Sequence, residues 1–295
     1  MASESHQHQG PHGAGKQERL PGVKFIITVA SGKGGVGKST VATNLAIGLQ
    51  KSGHAVGLLD ADIYGPSIPV MLGLRNVRPT MTADEKIVPM ERYGLKTMSM
   101  GYMLNDEDAV VWRGPMLGRA LQQFIEDVDW GELDYLVVDM PPGTGDVQLS
   151  IAQLLPVSGC VVVTTPQDVA FSDVRRAIKM LRTVNTPILG LVENMSYFVC
   201  GGCEAQHWIF GEGNLKAHAK ECELEILASI PIDSVISPAS DRGEPILIVA
   251  PDSATAQVFM ALATTVAKAM NKTAEDALQP AEQFSSFFNM QKPNG

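Results

Sequence analysis

A glycine-rich stretch near the beginning of the chain has the residue types and spacing of a phosphate-binding loop. It runs Gly32-Lys33-Gly34-Gly35-Val36-Gly37-Lys38-Ser39-Thr40. Glycines allow successive backbone N–H groups to approach phosphate oxygens at distances that a Cβ would obstruct. Lys38 is then expected to reach the β- and γ-phosphates of a nucleoside triphosphate, and the Ser39 hydroxyl to ligate Mg²⁺. Crowding Lys33 beside Lys38 requires strong negative charge between the two cations, which polyphosphate supplies.

The stretch also has the flanks that such a loop needs. A predicted strand, Phe25–Ala30, leads directly into it, and the helix-forming sequence VATNLAIGLQ follows. The N-terminus of that helix adds the positive end of its dipole. The alternative is a glycine-rich turn that binds nothing, and it does not require this strand–loop–helix order. The sequence therefore predicts a nucleotide-binding P-loop ATPase that uses ATP and Mg²⁺.

Carboxylates follow two other predicted strands. Asp60 and Asp62 lie at the end of Ala55–Asp60, and Asp139 ends Tyr135–Asp139. Ligands of open α/β sheets bind at the carboxyl ends of strands, so these side chains are expected to face the nucleotide. We assign Asp139 to Mg²⁺, through water, and Asp62 to orienting the attacking water, while Asp60 caps or orders the loop. The alternative for each is an ordinary strand-end turn residue.

The segment after Asp139, Met140-Pro141-Pro142-Gly143-Thr144-Gly145-Asp146, is typical of a switch loop that senses the γ-phosphate.

Two of the four cysteines, Cys200 and Cys203, form a C-x-x-C turn. Two thiolates are half of a four-coordinate site, and although His207 is near in sequence, no second C-x-x-C completes it. A homodimer with its two-fold axis at this turn would bring four cysteines together, as a [4Fe–4S] cluster or a tetrahedral zinc requires. A thioredoxin-like redox pair and an inert loop are the alternatives. Cys160 lies in an apolar strand and is assigned to the core, and Cys222, in a charged run, to an exposed thiol.

The elements that must position these residues alternate in type along the chain. The remaining predicted strands are Gly159–Thr164, Ile188–Glu193, Glu225–Ile230 and Ile246–Val249, with a hairpin of Lys86–Pro89 and Leu95–Ser99. The predicted helices are Ser39–Ser52, Met116–Val128, Asp146–Leu154, Ala170–Val184, Leu215–Glu221 and Ala254–Met270. This alternation predicts an α/β fold of the P-loop NTPase type, with a mostly parallel β-sheet flanked by helices.

Composition and charge restrict the partners and the compartment. The chain has 295 residues and a formal net charge of −9, which argues against a basic surface for nucleic acid. It has no apolar run of membrane-spanning length, so no membrane contact is expected. The first twenty residues, approximately, resemble neither a secretory signal nor a mitochondrial presequence, and a few cysteines suit a reducing compartment, so we expect a cytoplasmic protein.

We divide the chain into a disordered arm (residues 1–20), which contains His6, His8 and His12, a P-loop ATPase domain with the C-x-x-C loop (21–270), and a flexible tail (271–295).

Taken together, the motifs resemble those of the Mrp/ApbC-type iron–sulfur cluster carrier ATPases, a branch of the deviant Walker A class that also contains MinD and ParA. The resemblance covers about Leu20 to Met270. It rests on SGKGGVGKST at 31–40, LLDADIYGPSIP at 58–69, VVDMPPGTGD at 137–146, TTPQDVAFSDV at 164–174, ENMSYFVCGGC at 193–203 and IPID at 230–233. The sequence departs from the commoner pattern at Gly201, where proline is frequent, and at Asn214, where glycine is usual.

The resemblance implies roles for several residues. Lys33 would be the signature lysine that crosses a dimer interface to the partner's nucleotide, and Asp62 the water-activating residue. Asn194 and the segment from Pro231 to Asp233 would surround the adenine. Cys200 and Cys203 would carry a cluster, [4Fe–4S] by our assignment, that bridges two subunits and is received from scaffold proteins and delivered to apo iron–sulfur acceptor proteins.

Our leading hypothesis is thus an ATP-hydrolysing homodimeric carrier in which the nucleotide controls cluster loading or release. A spatial-organising ATPase like MinD or ParA, and a dimeric scaffold clasped by zinc, are the alternatives.

Overall fold

The computed structural model describes residues 20–102 and 124–278, with side chains to residue 273. The strands that it describes are β1 Val23–Ser31, β2 Val56–Asp60, β3 Met90–Arg92, β4 Leu95–Ser99, β5 Leu133–Asp139, β6 Gly159–Thr164, β7 Ile188–Glu193, β8 Phe198–Val199, β9 Gln206–His207 and β10 Ile226–Ser229. Eight of them form one sheet in the order β10-β7-β6-β1-β5-β2-β4-β3. All its pairings are parallel except that of β3 with β4. β8 and β9 form a separate antiparallel ribbon.

Helices cover both faces of the sheet. They are α1 Lys38–Lys51, α2 Ile68–Met71, α3 Asp146–Leu154, α4 Asp168–Thr183, α5 Leu215–Glu221, α6 Ile236–Asp241, α7 Ile246–Val249 and α8 Ala254–Leu278, with a 3₁₀ turn at Met100–Tyr102. One buried cluster joins the sheet to α1, α7 and α8, through residues such as Leu45 and Phe259. The other joins it to α3, α4 and α5, through residues such as Phe171. None of these helices combines the length and the apolarity needed to cross a bilayer.

The predicted fold class is confirmed, and most strands begin and end within two residues of their predicted bounds. The prediction for Ile246–Val249 is wrong, because this segment is the helical turn α7. Ile246 and Leu247 are buried, and the Leu247 N–H donates to the Asn44 side chain at 3.4 Å. A run of only four apolar residues is too short for its periodicity to show whether it forms a strand or one buried helical turn.

Other differences concern shorter segments. Lys86–Pro89 is not a regular strand, although Ile87 makes isolated bridges to Met81 and Val128. α2 and α6 are not among the predicted helices, and α8 runs beyond Met270 to Leu278. Much of the predicted helix Met116–Val128 lies outside the described residues, which show helix at 124–127. The terminal arm and the end of the tail also lie outside them.

The strand register brings the predicted site together. Asp139 of β5 is level with Val29 of β1 and with Asp60 of β2. β1 therefore delivers the glycine-rich loop to the same edge at which the two carboxylates emerge. The other neighbour of β1 is β6, which also runs parallel to it. The predicted site therefore lies at the carboxyl ends of strands in the middle of the sheet.

Candidate functional site: a phosphate-binding loop and a cysteine hairpin

The glycine-rich loop occupies the turn between β1, which ends at Ser31, and α1, which begins at Lys38. The Ser31 hydroxyl donates to the Lys33 carbonyl at 2.9 Å. Gly37 has a φ of 81°, and a Cβ there would lie 2.1 Å from Nδ2 of Asn194. A Cβ at Gly32 would lie 2.3 Å from the backbone carbon of Asp173. These two glycines are thus needed for contacts within the protein, in addition to any with phosphate.

Most of the loop lines a cavity of about 210 Å³. The predicted residues in its wall are Lys33, Gly34, Gly35, Gly37, Lys38, Ser39, Thr40 and Asp62. Pro142 of the predicted switch loop completes one side, while Val36 is buried away from solvent. A larger groove, of about 560 Å³, lies at the opposite ends of β1 and β5 and contains none of the predicted phosphate-binding residues. The chemistry of its lining, rather than its size, makes the smaller cavity the candidate phosphate site.

Lys38 and Asp139 form a buried ion pair at the base of this cavity. Nζ lies 2.5 Å from Oδ1, and the side chains are 6% and 0% exposed. Burial raises the pKa of Asp139, and the Lys38 ammonium opposes that rise. The second carboxylate oxygen, Oδ2, is buried without a hydrogen-bond partner in the described structure. A buried carboxylate oxygen that is free to accept, beside the Ser39 hydroxyl, fits a Mg²⁺ site with bound water.

Asp60 orders the loop that carries Asp62, as one of its predicted roles requires. Its Oδ1 accepts the Asp62 N–H at 3.0 Å, and its Oδ2 accepts from the Ile68 N–H at 3.1 Å and the Ser99 hydroxyl at 3.2 Å. Burial, reinforced by Asp139, raises the pKa of Asp60 to about 8. Burial also raises the pKa of Asp62, and Lys38 opposes this rise. Asp62 therefore lines the cavity, and the hydrogen bond from its backbone N–H to the Asp60 carboxyl group holds it in position.

The predicted switch loop lies against the phosphate-binding loop. The Met140 N–H donates to the Val29 carbonyl at 3.0 Å, and the Gly143 N–H donates to the Ser31 carbonyl at 3.1 Å. The Gln148 side chain donates to the Pro141 carbonyl. A movement of this loop would therefore change its hydrogen bonds to Val29 and Ser31 at the end of β1.

The three residues assigned to the adenine by resemblance do not line the 210 Å³ cavity. Asn194 instead braces the phosphate-binding loop, because its Nδ2 donates to the Val36 carbonyl at 2.9 Å. Both Asp233 oxygens accept hydrogen bonds, one from the Val235 N–H at 2.9 Å and one from the Thr255 hydroxyl at 2.7 Å. Pro231 is buried. The adenine assignment of these residues stays a prediction.

Cys200 and Cys203 lie in the turn of the β8–β9 ribbon, called here the cysteine hairpin (residues 198–214). The Cys200 N–H donates to the Ala205 carbonyl at 2.9 Å, which closes the turn. Hydrogen bonds from the Gly202 and Cys203 backbone N–H groups lower the pKa of Cys200 and so favour its thiolate. Cys203 is exposed. Across residues 20–102 and 124–278, no group of three or more acidic, His or Cys side chains could hold a metal ion.

The other two cysteines differ in their surroundings. Cys160 is fully buried in β6, as predicted, and burial raises its pKa to about 12. Cys222 is not the exposed thiol that the charged run predicts. It is partly buried against the core between α4 and α5, and this burial raises its pKa. Neither residue shares a site with the hairpin pair.

Comparison with known proteins places these features in a family. Residues 22–267 match the family model described as ParA, the NUBPL iron-transfer P-loop NTPase. The chain belongs to this family. Its relative in Aquifex aeolicus, named an iron–sulfur cluster carrier protein, is 52% identical over 253 residues, which are 85% of this chain and 70% of that protein.

Solved structures also resemble this chain. A nucleotide-binding protein from Archaeoglobus fulgidus in complex with ADP is 41% identical, with a TM-score of 0.68 over 76% of this chain and 88% of that one. The septum site-determining protein MinD from Pyrococcus horikoshii, complexed with Mg-ADP, is 24% identical, with a TM-score of 0.65 over 85% of this chain and 99% of that one. The second likeness shows that the two proteins share a fold.

In this NUBPL-type protein, both ends of the cysteine hairpin are attached to elements that touch the phosphate-binding loop. On the entering side, Asn194 contacts Val36, and the Ile232 N–H donates to the Tyr197 carbonyl at 2.6 Å. On the leaving side, Asn214 donates to Asp168 of α4 at 3.2 Å.

His218 of α5 also reaches Asp168, at 3.1 Å, and stacks on Phe171 with ring centroids 4.2 Å apart. Further along α4, Asp173 is the residue packed against Gly32. The sequence analysis did not assign roles to Asp168 and His218. The TTPQDVAFSDV motif, which contains Asp168, Phe171 and Asp173, is the signal that could have found the α4 side.

Proposed function

We propose that this protein is an ATP-hydrolysing carrier that holds an iron–sulfur cluster between Cys200 and Cys203 of two subunits and transfers it to apo-proteins. The observation that carries the proposal is the cysteine hairpin: it offers two thiols, lacks further ligands among the described residues, and is joined at both ends to elements that contact the phosphate-binding loop. Membership of an iron-transfer NTPase family and the name of the Aquifex aeolicus relative support the choice of cargo.

The hydrolytic half of the function rests on the 210 Å³ cavity. Lys38 and Lys33 offset the charge of the phosphates, and the loop N–H groups hold their oxygens. Asp62 orients a water molecule, whose oxygen bonds to the γ-phosphorus as the bond to the β–γ bridging oxygen breaks, giving ADP and phosphate. Asp139 and Ser39 would hold Mg²⁺, which neutralises phosphate charge when bound. Lys33 acts across a homodimer interface in this proposal.

Transfer of the cluster is ligand exchange. Cysteine thiolates of an apo-protein bind the iron atoms as the bonds from Cys200 and Cys203 break, and each released thiolate takes up a proton. No change in iron oxidation state is required. The lowered pKa of Cys200 favours the ligating thiolate. A reducing cytoplasm, with scaffold proteins as donors, would keep both thiols free to accept the next cluster.

Coupling between hydrolysis and transfer follows from the two attachments of the hairpin. A shift of the phosphate-binding loop moves Asn194 on one side and the Asp173 turn of α4 on the other. α4 in turn holds Asn214 through Asp168. Nucleotide binding would therefore change the distance or angle between the two cysteine pairs of a dimer, and so the strength with which they hold the cluster.

Anaerobic reconstitution tests the cargo. The purified protein is loaded with iron and sulfide, and visible absorption, iron, sulfide and zinc are measured, followed by transfer to an apo-ferredoxin. The variant Cys200→Ser/Cys203→Ser should lose both the absorption and the transfer, while Cys222→Ser, the matched control, should keep them. Normal transfer by the double variant would exclude the proposal, and stable zinc without any iron–sulfur absorption would favour a zinc-clasped scaffold.

A further inference from the structure

A surface groove of about 400 Å³ lies between α4 and α5, and its lining contains no residue of the phosphate-binding loop or of the cysteine hairpin. Sites that bind small ligands typically have volumes of about 300–1,000 Å³. The lining combines three cations of α4 with Ile178 and Cys222, and the cations are Arg175, Lys179 and Arg182. We propose that this groove binds a segment of the same chain, residues 279–291, which follows α8 and is called here the aromatic tail.

Two of the three cations in the groove already have partners. Arg175 pairs with Glu221, with Nη2 2.5 Å from Oε2, and Arg182 donates to the Cys222 carbonyl at 2.5 Å. Lys179 is exposed and forms no ion pair with any residue in the ranges that the structure describes. The Lys179 ammonium is therefore available to a carboxylate of a docked segment.

The aromatic tail has side chains that complement this groove. Its sequence, QPAEQFSSFFNMQ, contains three phenylalanines and a single charged residue, Glu282. Glu282 matches the Lys179 ammonium, and Phe284 follows it by two residues, close enough to meet Ile178 and the aliphatic stems of the arginines. Aromatic rings pack favourably on such stems and on guanidinium groups. The tail thus brings a carboxylate and adjacent rings to a groove in which an ammonium lies beside two guanidinium groups.

The ends of α4 and α8 lie near the same end of the sheet. Met270 of α8 packs against the first residue of β6, since a Cβ on Gly159 would lie 2.8 Å from its Cε. The next residue of β6, Cys160, donates to the Pro187 carbonyl at 2.8 Å. Pro187 follows Thr183, the last residue of α4, by four residues. The aromatic tail therefore begins on the side of the molecule at which the groove opens.

The lengths of the connecting segments allow the tail to reach the groove. α8 continues for eight residues after Met270, to Leu278, which adds about 12 Å. The four residues from Thr183 to Pro187 span at most about 14 Å. Residues 279–288, fully extended, cover about 34 Å, which exceeds these two distances together. This span contains all three phenylalanines of the tail.

The larger groove at the starts of β1 and β5 matches the tail less well. Its charged side chains are Lys24, Glu132 and Asp134. Two carboxylates against one ammonium would repel Glu282, whereas the groove between α4 and α5 carries three cations and only Glu221 as an acid. Charge therefore favours the smaller of the two grooves.

Docking of the tail would cover the thiol of Cys222, which lines the groove and is only partly buried in the described structure. A segment on a short flexible linker has an effective concentration of about 1 mM at its site. A contact with a dissociation constant of about 0.1 mM would then leave the groove open for only about a tenth of the time. The reaction of Cys222 with a small reagent should slow in the same proportion.

Alkylation of Cys222 by iodoacetamide, followed by mass spectrometry of the intact protein, measures this cover. The full chain carries Cys200→Ser/Cys203→Ser, so that Cys222 is the reactive thiol beside the fully buried Cys160. Replacing the three phenylalanines, as Phe284→Ser/Phe287→Ser/Phe288→Ser, should speed the alkylation at least about fivefold, with unchanged circular dichroism. Leucine at the same three positions is the conservative variant and should keep most of the protection, because it keeps most of the apolar surface.

Exchanging the charges tests where the tail binds. Lys179→Glu and Glu282→Lys should each speed alkylation by about two- to fivefold, and the double variant should return to the slow rate. In the chain with three serines, the same exchanges should have no such pattern, which separates docking from a direct effect of charge on the thiol. Lys51→Glu, which replaces an exposed lysine at the end of α1, is the matched control and should behave like the parent.

Three results would overturn the inference. One is an equal rate of alkylation in the parent and the chain with three serines, and another is a double charge variant that reacts as fast as the single ones. The third is protection that increases with protein concentration, or that occurs only with phosphatidylglycerol vesicles, which would assign the groove or the tail to a second copy or to lipid. The assay uses a chain without the proposed cluster ligands, so none of these results bears on the proposed function.

Discussion

Replacing Lys38 by methionine tests the buried ion pair that underlies the phosphate site. Methionine keeps much of the length of the side chain but removes the ammonium that lies 2.5 Å from the fully buried Asp139. Removing one partner of a buried pair leaves an uncompensated charge, which typically costs about 3–5 kcal/mol. We expect Asp139 to avoid this charge by remaining protonated in the folded variant.

The pH dependence follows from that protonation. The unfolded carboxyl has its ordinary pKa of 3.8, so at about pH 7 folding must take up a proton. The free energy of unfolding then falls by about 4 kcal/mol at pH 7, but by only about 2 kcal/mol at pH 5.5, at about 1.4 kcal/mol per pH unit. The sign is fixed because the folded variant binds a proton that the unfolded chain lacks above pH 3.8. Both values are upper limits, since burial already raises the pKa of Asp139 in the parent.

Urea unfolding followed by circular dichroism measures the effect at about pH 5.5 and 7. The variant Lys38→Met/Asp139→Asn is neutral at both positions, so its stability relative to the parent should depend little on pH and should exceed that of Lys38→Met at the higher pH. An equal loss in Lys38→Met at the two pH values, or no recovery in the double variant, would refute the reasoning.

Three further expectations concern the surroundings of the site. Gly37→Ala should lose at least about 2 kcal/mol of stability and its ATP affinity, because the added Cβ would lie 2.1 Å from Asn194. Gly35 has a similar φ but open space around it, so Gly35→Ala should lose less stability and less ATP affinity. Urea unfolding and ATP titration measure both variants. For Asp60, with its pKa of about 8, stability should fall as pH rises from 3.8 towards 8, since the folded state holds the proton more tightly; Asp60→Asn should flatten that decline in urea titrations across this range. Asp168→Ala should leave ATP binding intact but weaken the dependence of cluster transfer on nucleotide, and unchanged dependence would remove α4 from the coupling route.

Local pattern was sufficient for the main elements and for the residues that meet at the candidate phosphate site. β6 and β7 have their predicted bounds because nearly continuous apolar runs between turn residues specify buried strands. Lys38, Asp62 and Asp139 meet at one place because parallel strands carry their following loops to one edge of the sheet. For α7, by contrast, the same apolar pattern suits a strand or a helix, and only packing beside Asn44 decides between them.

What the sequence by itself determined is therefore the fold class, the phosphate-binding loop and the paired cysteines, because each depends on spacing within a short segment. Tertiary structure alone decided which long-range contacts those segments make. Asn194 donates a hydrogen bond to the phosphate-binding loop, and Gly32 leaves room for α4 to pack against that loop. Asp168 accepts a hydrogen bond from Asn214 at the end of the cysteine hairpin. Such contacts join residues far apart in the chain, and their geometry depends on the whole sheet having formed.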